Sequence, residues 1–138
     1  MKVFIVDDSA GVRERLIDIL SEIDGIKYFG QAGDAVEATR RIRELKPDAV
    51  ILDICMPGIG GIEVLQNIKR NGEGPVVIML TNYPYPQYRK KCLEAGAEFF
   101  FDKSTEFNKV IDVLNQLIQE SKTSCGPQGG WRIHEIGE

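Results

Sequence analysis

Residues 48–61 read Asp-Ala-Val-Ile-Leu-Asp-Ile-Cys-Met-Pro-Gly-Ile-Gly-Gly. Ala49-Val50-Ile51-Leu52 runs without interruption into Asp53. A short apolar run bounded by turn residues predicts a strand buried on both faces, as in parallel sheets. Met56-Pro57-Gly58 supplies the turn chemistry that ends it. Asp53 is therefore expected at the carboxyl end of a central strand, facing a loop. Ligands of open α/β sheets bind outside that edge. An aspartate placed there either caps the loop or takes part in chemistry.

The pattern repeats on both sides of this stretch. Upstream, Val3-Phe4-Ile5-Val6 is a second buried-strand run and ends at Asp7-Asp8. Ser9 is suited to cap the helix that follows. Val12, Leu16, Ile19, Leu20 and Ile23 give that helix one apolar face, and Asp24-Gly25 closes it. Residues 27–32 form a weaker strand. Asp34 and Glu37 make an Asp-x-x-Glu capping pattern ahead of a stripe of Ala35, Ala38, Ile42 and Leu45, and Pro47 follows its end.

Downstream, Gly60 and Gly61 open a third helix with Ile62, Leu65 and Ile68 inward, broken by Asn71-Gly72-Glu73-Gly74-Pro75. Val76 to Leu80 is a fourth strand ending at Thr81. A loop from Asn82 to Pro86 leads to a short, poorly amphipathic helix over Gln87 to Ala95, stopped by Gly96. Phe99-Phe100-Phe101 is the fifth strand, followed by Asp102-Lys103. Ser104 is placed to cap a last helix with a stripe of Phe107, Val110, Ile111, Leu114, Leu117 and Ile118. Strands and helices alternate five times, which predicts a doubly wound parallel sheet with helices on both faces.

The totals agree with a single domain of 138 residues, 43% hydrophobic and 28% charged. With 17 basic and 21 acidic residues the chain has net charge −4, and nothing favours DNA or another polyanion. Three dispersed cysteines, no CxxC and one histidine argue against a zinc site or a disulfide framework and fit a reducing cytoplasm. No stretch is long enough to span a membrane. The domain is expected over residues 1–121. Residues 122–138 read as a Gly/Pro-containing tail rather than a domain, with Trp131, Ile133 and Ile136 offering apolar surface that could dock.

The chemistry lies in the strand ends. They carry Asp7-Asp8, Asp53, Thr81 and Asp102-Lys103, and a doubly wound sheet brings these to one edge. Each alone has an ordinary reading as turn, cap or surface residue; Asp102 is read as surface. Together they are complementary. Carboxylates crowded in one pocket repel and raise one another's pKa. A Mg²⁺ ion relieves this, since it prefers hard oxygen ligands. Carboxylate, divalent cation, ammonium and hydroxyl are the parts that hold a phosphoryl group in flight.

On these residues the chain resembles a response-regulator receiver domain of two-component signalling, of the stand-alone, chemotaxis type. The matching features are the pair Asp7-Asp8, the pattern Asp53-Ile54-Cys55-Met56-Pro57-Gly58 with Gly61, then Thr81, and Lys103 after an aromatic strand. The resemblance implies a (βα)5 flavodoxin-like sheet of order 2-1-3-4-5. It implies Asp53 as phosphoacceptor, Mg²⁺ held by Asp8, Asp53 and the Cys55 backbone carbonyl with Asp7 acting through water, and Thr81 and Lys103 on the phosphoryl oxygens. Phe100 falls at the switch-aromatic position, often a tyrosine. It further implies a sensor histidine kinase or phosphotransfer protein as donor, a downstream protein target, and no enzymatic activity beyond self-catalysed phosphorylation and dephosphorylation. Asn82 after Thr81 and Ser104 after Lys103 depart from the family pattern of a small residue and a proline.

Two other readings compete. An aspartate-nucleophile phosphohydrolase of the haloacid dehalogenase type needs a second aspartate two residues past the first, where Cys55 stands. A nucleotide or flavin binder would use the glycines at 58–61, but these are not G-x-G-x-x-G and follow the third strand.

Overall fold

The computed structural model describes residues 1–55, 60–69 and 74–123. Its elements run β1 (Lys2–Val6), α1 (Ala10–Leu20), β2 (Lys27–Ala32), α2 (Ala35–Leu45), β3 (Ala49–Leu52), α3 (Gly61–Ile68), β4 (Val76–Thr81), α4 (Pro86–Glu94), β5 (Phe99–Asp102) and α5 (Phe107–Thr123). The five strands form one parallel sheet in the order β2-β1-β3-β4-β5. This is the flavodoxin-like (βα)5 arrangement expected from the sequence.

Alternation along the strands builds two cores. Phe4, Val6, Val50, Leu52, Val77, Met79 and Phe100 face α2, α3 and α4. Val3, Ile5, Ala49, Ile51, Ile78, Leu80, Phe99 and Phe101 face α1 and α5. All four residues of β3 are buried, as a strand covered on both faces requires. The register pairs Val6 with Leu52, so the chain leaves both strands at the same level and Asp7 and Asp53 stand side by side. Thr81 pairs with Asp102 one strand further on.

Local signals set most boundaries. The Ser9 hydroxyl accepts the Val12 amide at 3.2 Å, and the Asp34 carboxylate accepts the Glu37 amide at 2.9 Å. Some expectations need adjustment. The first helix ends at Leu20, so Ile23 lies in the turn beyond it. The fourth helix takes Pro86 as its first residue, where a missing N–H costs nothing. Ser104 does not cap α5; its amide and hydroxyl both donate to the Asp102 carboxylate, at 2.8 and 2.7 Å. The last helix runs from Phe107 to Thr123. The Met56-Pro57-Gly58 turn, the break at 71–73 and the docking of Trp131, Ile133 and Ile136 lie outside the described residues. No helix among the described residues is long and apolar enough to cross a membrane.

Candidate functional site

The carboxyl edge of the sheet gathers the strand-end residues. Asp7 and Asp53 are buried and Asp8 is exposed. One carboxylate oxygen from each of the three lies within 4.8 Å of the others. Lys103 reaches in from the end of β5 and donates to Asp7 Oδ2 at 2.7 Å and to Asp53 Oδ2 at 3.4 Å. Its side chain is only 9% exposed, so it is a buried counter-ion and not a surface lysine.

Backbone contacts fix Asp53. The Asp53 amide donates to the Val6 carbonyl at 3.0 Å. Its Oδ1 accepts the Ile54 amide at 2.8 Å, leaving Oδ2 toward Lys103. The start of α3 packs directly on this peptide. A Cβ on Gly61 would stand 1.8 Å from the Asp53 carbonyl oxygen, so only glycine fits there.

Electrostatics follow burial. Burial pushes the Asp53 carboxyl above its ordinary pKa; the Lys103 charge opposes this and the Asp7 charge adds to it. Burial pulls on the Lys103 ammonium in the opposite sense, but its bond to Asp7 and the charges of Asp53 and Asp7 outweigh that and hold its pKa above the ordinary value. Cys55 is exposed two residues past Asp53, and its thiol is pushed up by partial burial and by the Asp53 and Asp8 charges. Three carboxylates against one ammonium leave the pocket net negative. Hard oxygen donors at this spacing suit a divalent cation of the Mg²⁺ kind.

Thr81 is fully buried at the end of β4. Its hydroxyl oxygen accepts the Tyr83 amide at 3.0 Å, while its carbonyl accepts the Lys103 amide at 2.7 Å. Phe100 points into the core beside Met79, Cys92 and Ala97, with the Arg89 guanidinium 5.8 Å from its ring centre. The edge thus brings together Asp7, Asp8, Asp53, Thr81 and Lys103; Phe100 sits below it, on the face covered by α4.

Comparison with known proteins agrees. Residues 3–115 match the response regulator receiver domain. The chain belongs to the response-regulator receiver family. It is 32% identical to "Response regulator GacA" of Pseudomonas syringae over 93% of its length, and it spans 59% of that relative. Among solved structures, the response regulator domain of Thermotoga maritima CheB superposes with a TM-score of 0.75 at 32% identity, covering 91% of this chain and 98% of that one. The CheX-CheY-BeF3-Mg+2 complex from Borrelia burgdorferi matches with a TM-score of 0.71 at 32% identity, over 83% and 89% of the two chains.

Two parts of the site were not read from the sequence. Asp102 is no bystander, because its carboxylate organises the loop that carries Lys103. Its hydrogen bonds from Ser104 hold its pKa below the ordinary carboxylate value. Arg13 is the other. A cation close to a helix N-terminus works against the dipole, which was the available hint that it is held there for another reason.

Proposed function

We propose that this receiver domain is a Mg²⁺-dependent phosphoacceptor, with Asp53 as the residue that takes the phosphoryl group. The observation that carries this is the cluster of Asp7, Asp8 and Asp53 with the Lys103 ammonium against two of them. In this reading Asp8, Asp53 and the Cys55 carbonyl would hold the cation, with Asp7 acting through water. The cation would supply positive charge to the transferring phosphoryl oxygens.

The chain's own groups do the rest. Asp53 Oδ2 attacks phosphorus, and the bond from phosphorus to the donor's imidazole nitrogen or acyl oxygen breaks. The electron pair leaves with the donor, and the product is an acyl phosphate on Asp53. Lys103 then exchanges its Asp53 contact for a phosphoryl oxygen. Thr81 rotates its hydroxyl to donate to another. The alternative phosphohydrolase reading lacks its acid/base group, because Cys55 holds that position with a thiol of raised pKa.

The signalling role follows as part of the same proposal. A sensor histidine kinase or phosphotransfer protein supplies the phosphoryl group, and a protein target reads the phosphorylated face. A relative whose structure is described as bound to CheX with BeF3 and Mg+2 supports a protein partner for the activated form. Acetyl phosphate with Mg²⁺ should add one phosphoryl mass to the intact chain; Asp53→Asn or chelator should abolish it. An adduct that persists in Asp53→Asn would overturn the assignment.

A further inference from the structure

The acidic pair is held from behind by a residue on another element. Arg13, on α1, donates from Nε to Gln31 Oε1 at 2.7 Å and from Nη1 to the Asp7 carbonyl at 2.6 Å. The two bonds use the fixed fork of the guanidinium, which tethers the end of β1 to the end of β2. The contact completes the fixation of Asp7. Its amide donates to the Ala32 carbonyl at 3.1 Å, and its Oδ1 and Oδ2 accept Ser9 N–H and Lys103 Nζ–H. The Asp7 carbonyl is the remaining polar group, and Arg13 takes it.

The consequence falls on Asp8. The Asp7–Asp8 peptide is planar, so a bond to the Asp7 carbonyl fixes the plane from which Asp8 departs. Asp8 is exposed, and the backbone rather than side-chain packing sets where its carboxylate stands. Gly33 keeps the space open: a Cβ there would lie 3.0 Å from Arg13 Nη1 and 3.8 Å from the Asp7 carbonyl oxygen. We propose that Arg13 is a positioning residue for the metal-binding pair, its fork setting the Asp7–Asp8 peptide and through it the Asp8 carboxylate. This rests on the Mg²⁺ reading above.

The geometry separates this role from two simpler ones. If the Arg13 charge mattered, removing it would strengthen cation binding, because it repels Mg²⁺, and lysine would substitute for it. If Arg13 only braced the fold, stability would fall and affinity would not. A fork that positions gives a third pattern: both Arg13→Gln and Arg13→Lys lose affinity, since neither makes both bonds.

The test is Mg²⁺ titration by calorimetry on the metal-free protein, beside urea denaturation without metal. Arg13→Gln and Arg13→Lys should each weaken Mg²⁺ binding about tenfold, as loss of an outer partner of a metal ligand does. Gly33→Ala should weaken it less, by pressing on the guanidinium, and should have no further effect in the Arg13→Gln background. Wild-type affinity in Arg13→Lys, or tighter binding in Arg13→Gln, would overturn the proposal. So would lowered stability with affinity unchanged. Failure of the wild-type protein to bind Mg²⁺ would instead remove the metal reading itself.

Discussion

At the scale of single residues the site is built against its own stability. Burial raises the Asp53 pKa above its ordinary value of 3.8, so ionising it costs more in the folded chain than in the unfolded one. The stability this group contributes is fully present below 3.8 and is lost as pH rises through the folded value. Asp53→Asn, which cannot ionise, should therefore raise the thermal midpoint of the metal-free protein at neutral pH, with a gap that closes as pH falls toward the ordinary carboxylate range. Added Mg²⁺ should narrow the neutral-pH gap by stabilising the wild type alone. A gap independent of pH would count against a strained carboxylate. Asp7, Asp8, Asp53, Thr81 and Lys103 were legible in the sequence because each terminates a strand, and strand ends of a parallel sheet share an edge. Arg13 was not, because what a side chain reaches across elements leaves no periodic trace; Asp102 was passed over because its bonds from Ser104 are a local turn, which gives a carboxylate an ordinary structural reason to be there.

At the scale of elements, boundaries followed from local chemistry wherever a cap or glycine was present, and drifted where one was not. Ser9 and Asp34 cap as read, whereas α5 starts three residues after Ser104, whose hydrogen bonds go to Asp102 instead. A larger feature escaped altogether. Lys69, just past α3, and Glu98, just before β5, form a buried pair at 2.7 Å with side chains 5% exposed. Glu98 Oε1 also accepts the Val77 amide at 2.8 Å, and Lys69 Nζ donates to the Pro75 carbonyl at 3.0 Å. The pair is 29 residues apart in sequence, and each partner alone reads as a solvated charge. It ties α3, β4 and β5 together at the edge opposite the acidic site. Breaking one half strands the other in the interior, at a cost of about 3–5 kcal/mol. Glu98→Ala should lower the urea midpoint accordingly at unchanged slope. Glu98→Gln, which keeps the side-chain volume and one acceptor oxygen, for Val77 or Lys69 but not for both, should cost less. Equal losses for the two variants would mean that the carboxylate charge, rather than the packing and single acceptor that glutamine retains, carries the stability.

At the scale of the molecule, the proposed phosphorylation of Asp53 would have to alter a surface away from the pocket for a partner to read it. The Thr81 hydroxyl oxygen already serves the Tyr83 amide. If Thr81 swings toward a phosphoryl group, that amide loses its acceptor and the loop after β4 must re-form. The loop is coupled to α4 by rings: Tyr83 to Tyr85 at 6.3 Å between centres, and Tyr85 to Tyr88 at 5.8 Å. The fourth helix itself is lightly held, with Cys92 its one buried residue. An element with so few buried contacts moves at low cost. It forms one wall of a groove of about 460 Å³ over β5, facing Lys109 and Val113 of α5. Phe100, by contrast, is 5% exposed, and swinging a phenylalanine out of the core costs about 1.5–3 kcal/mol. The change is therefore expected to travel through the tyrosine ladder into α4 more than through rotation of Phe100. Comparing amide spectra with and without beryllofluoride and Mg²⁺ should place the largest shifts outside the pocket at residues 82–91, with α1 and α2 quiet beyond their first turns. Tyr85→Ala, at an exposed position, should leave the shifts around Asp53 and Lys103 intact while shrinking those in α4. Shifts that stay within the pocket in the wild type would mean that nothing propagates, and full α4 shifts in Tyr85→Ala would move the coupling from the ladder back to Phe100.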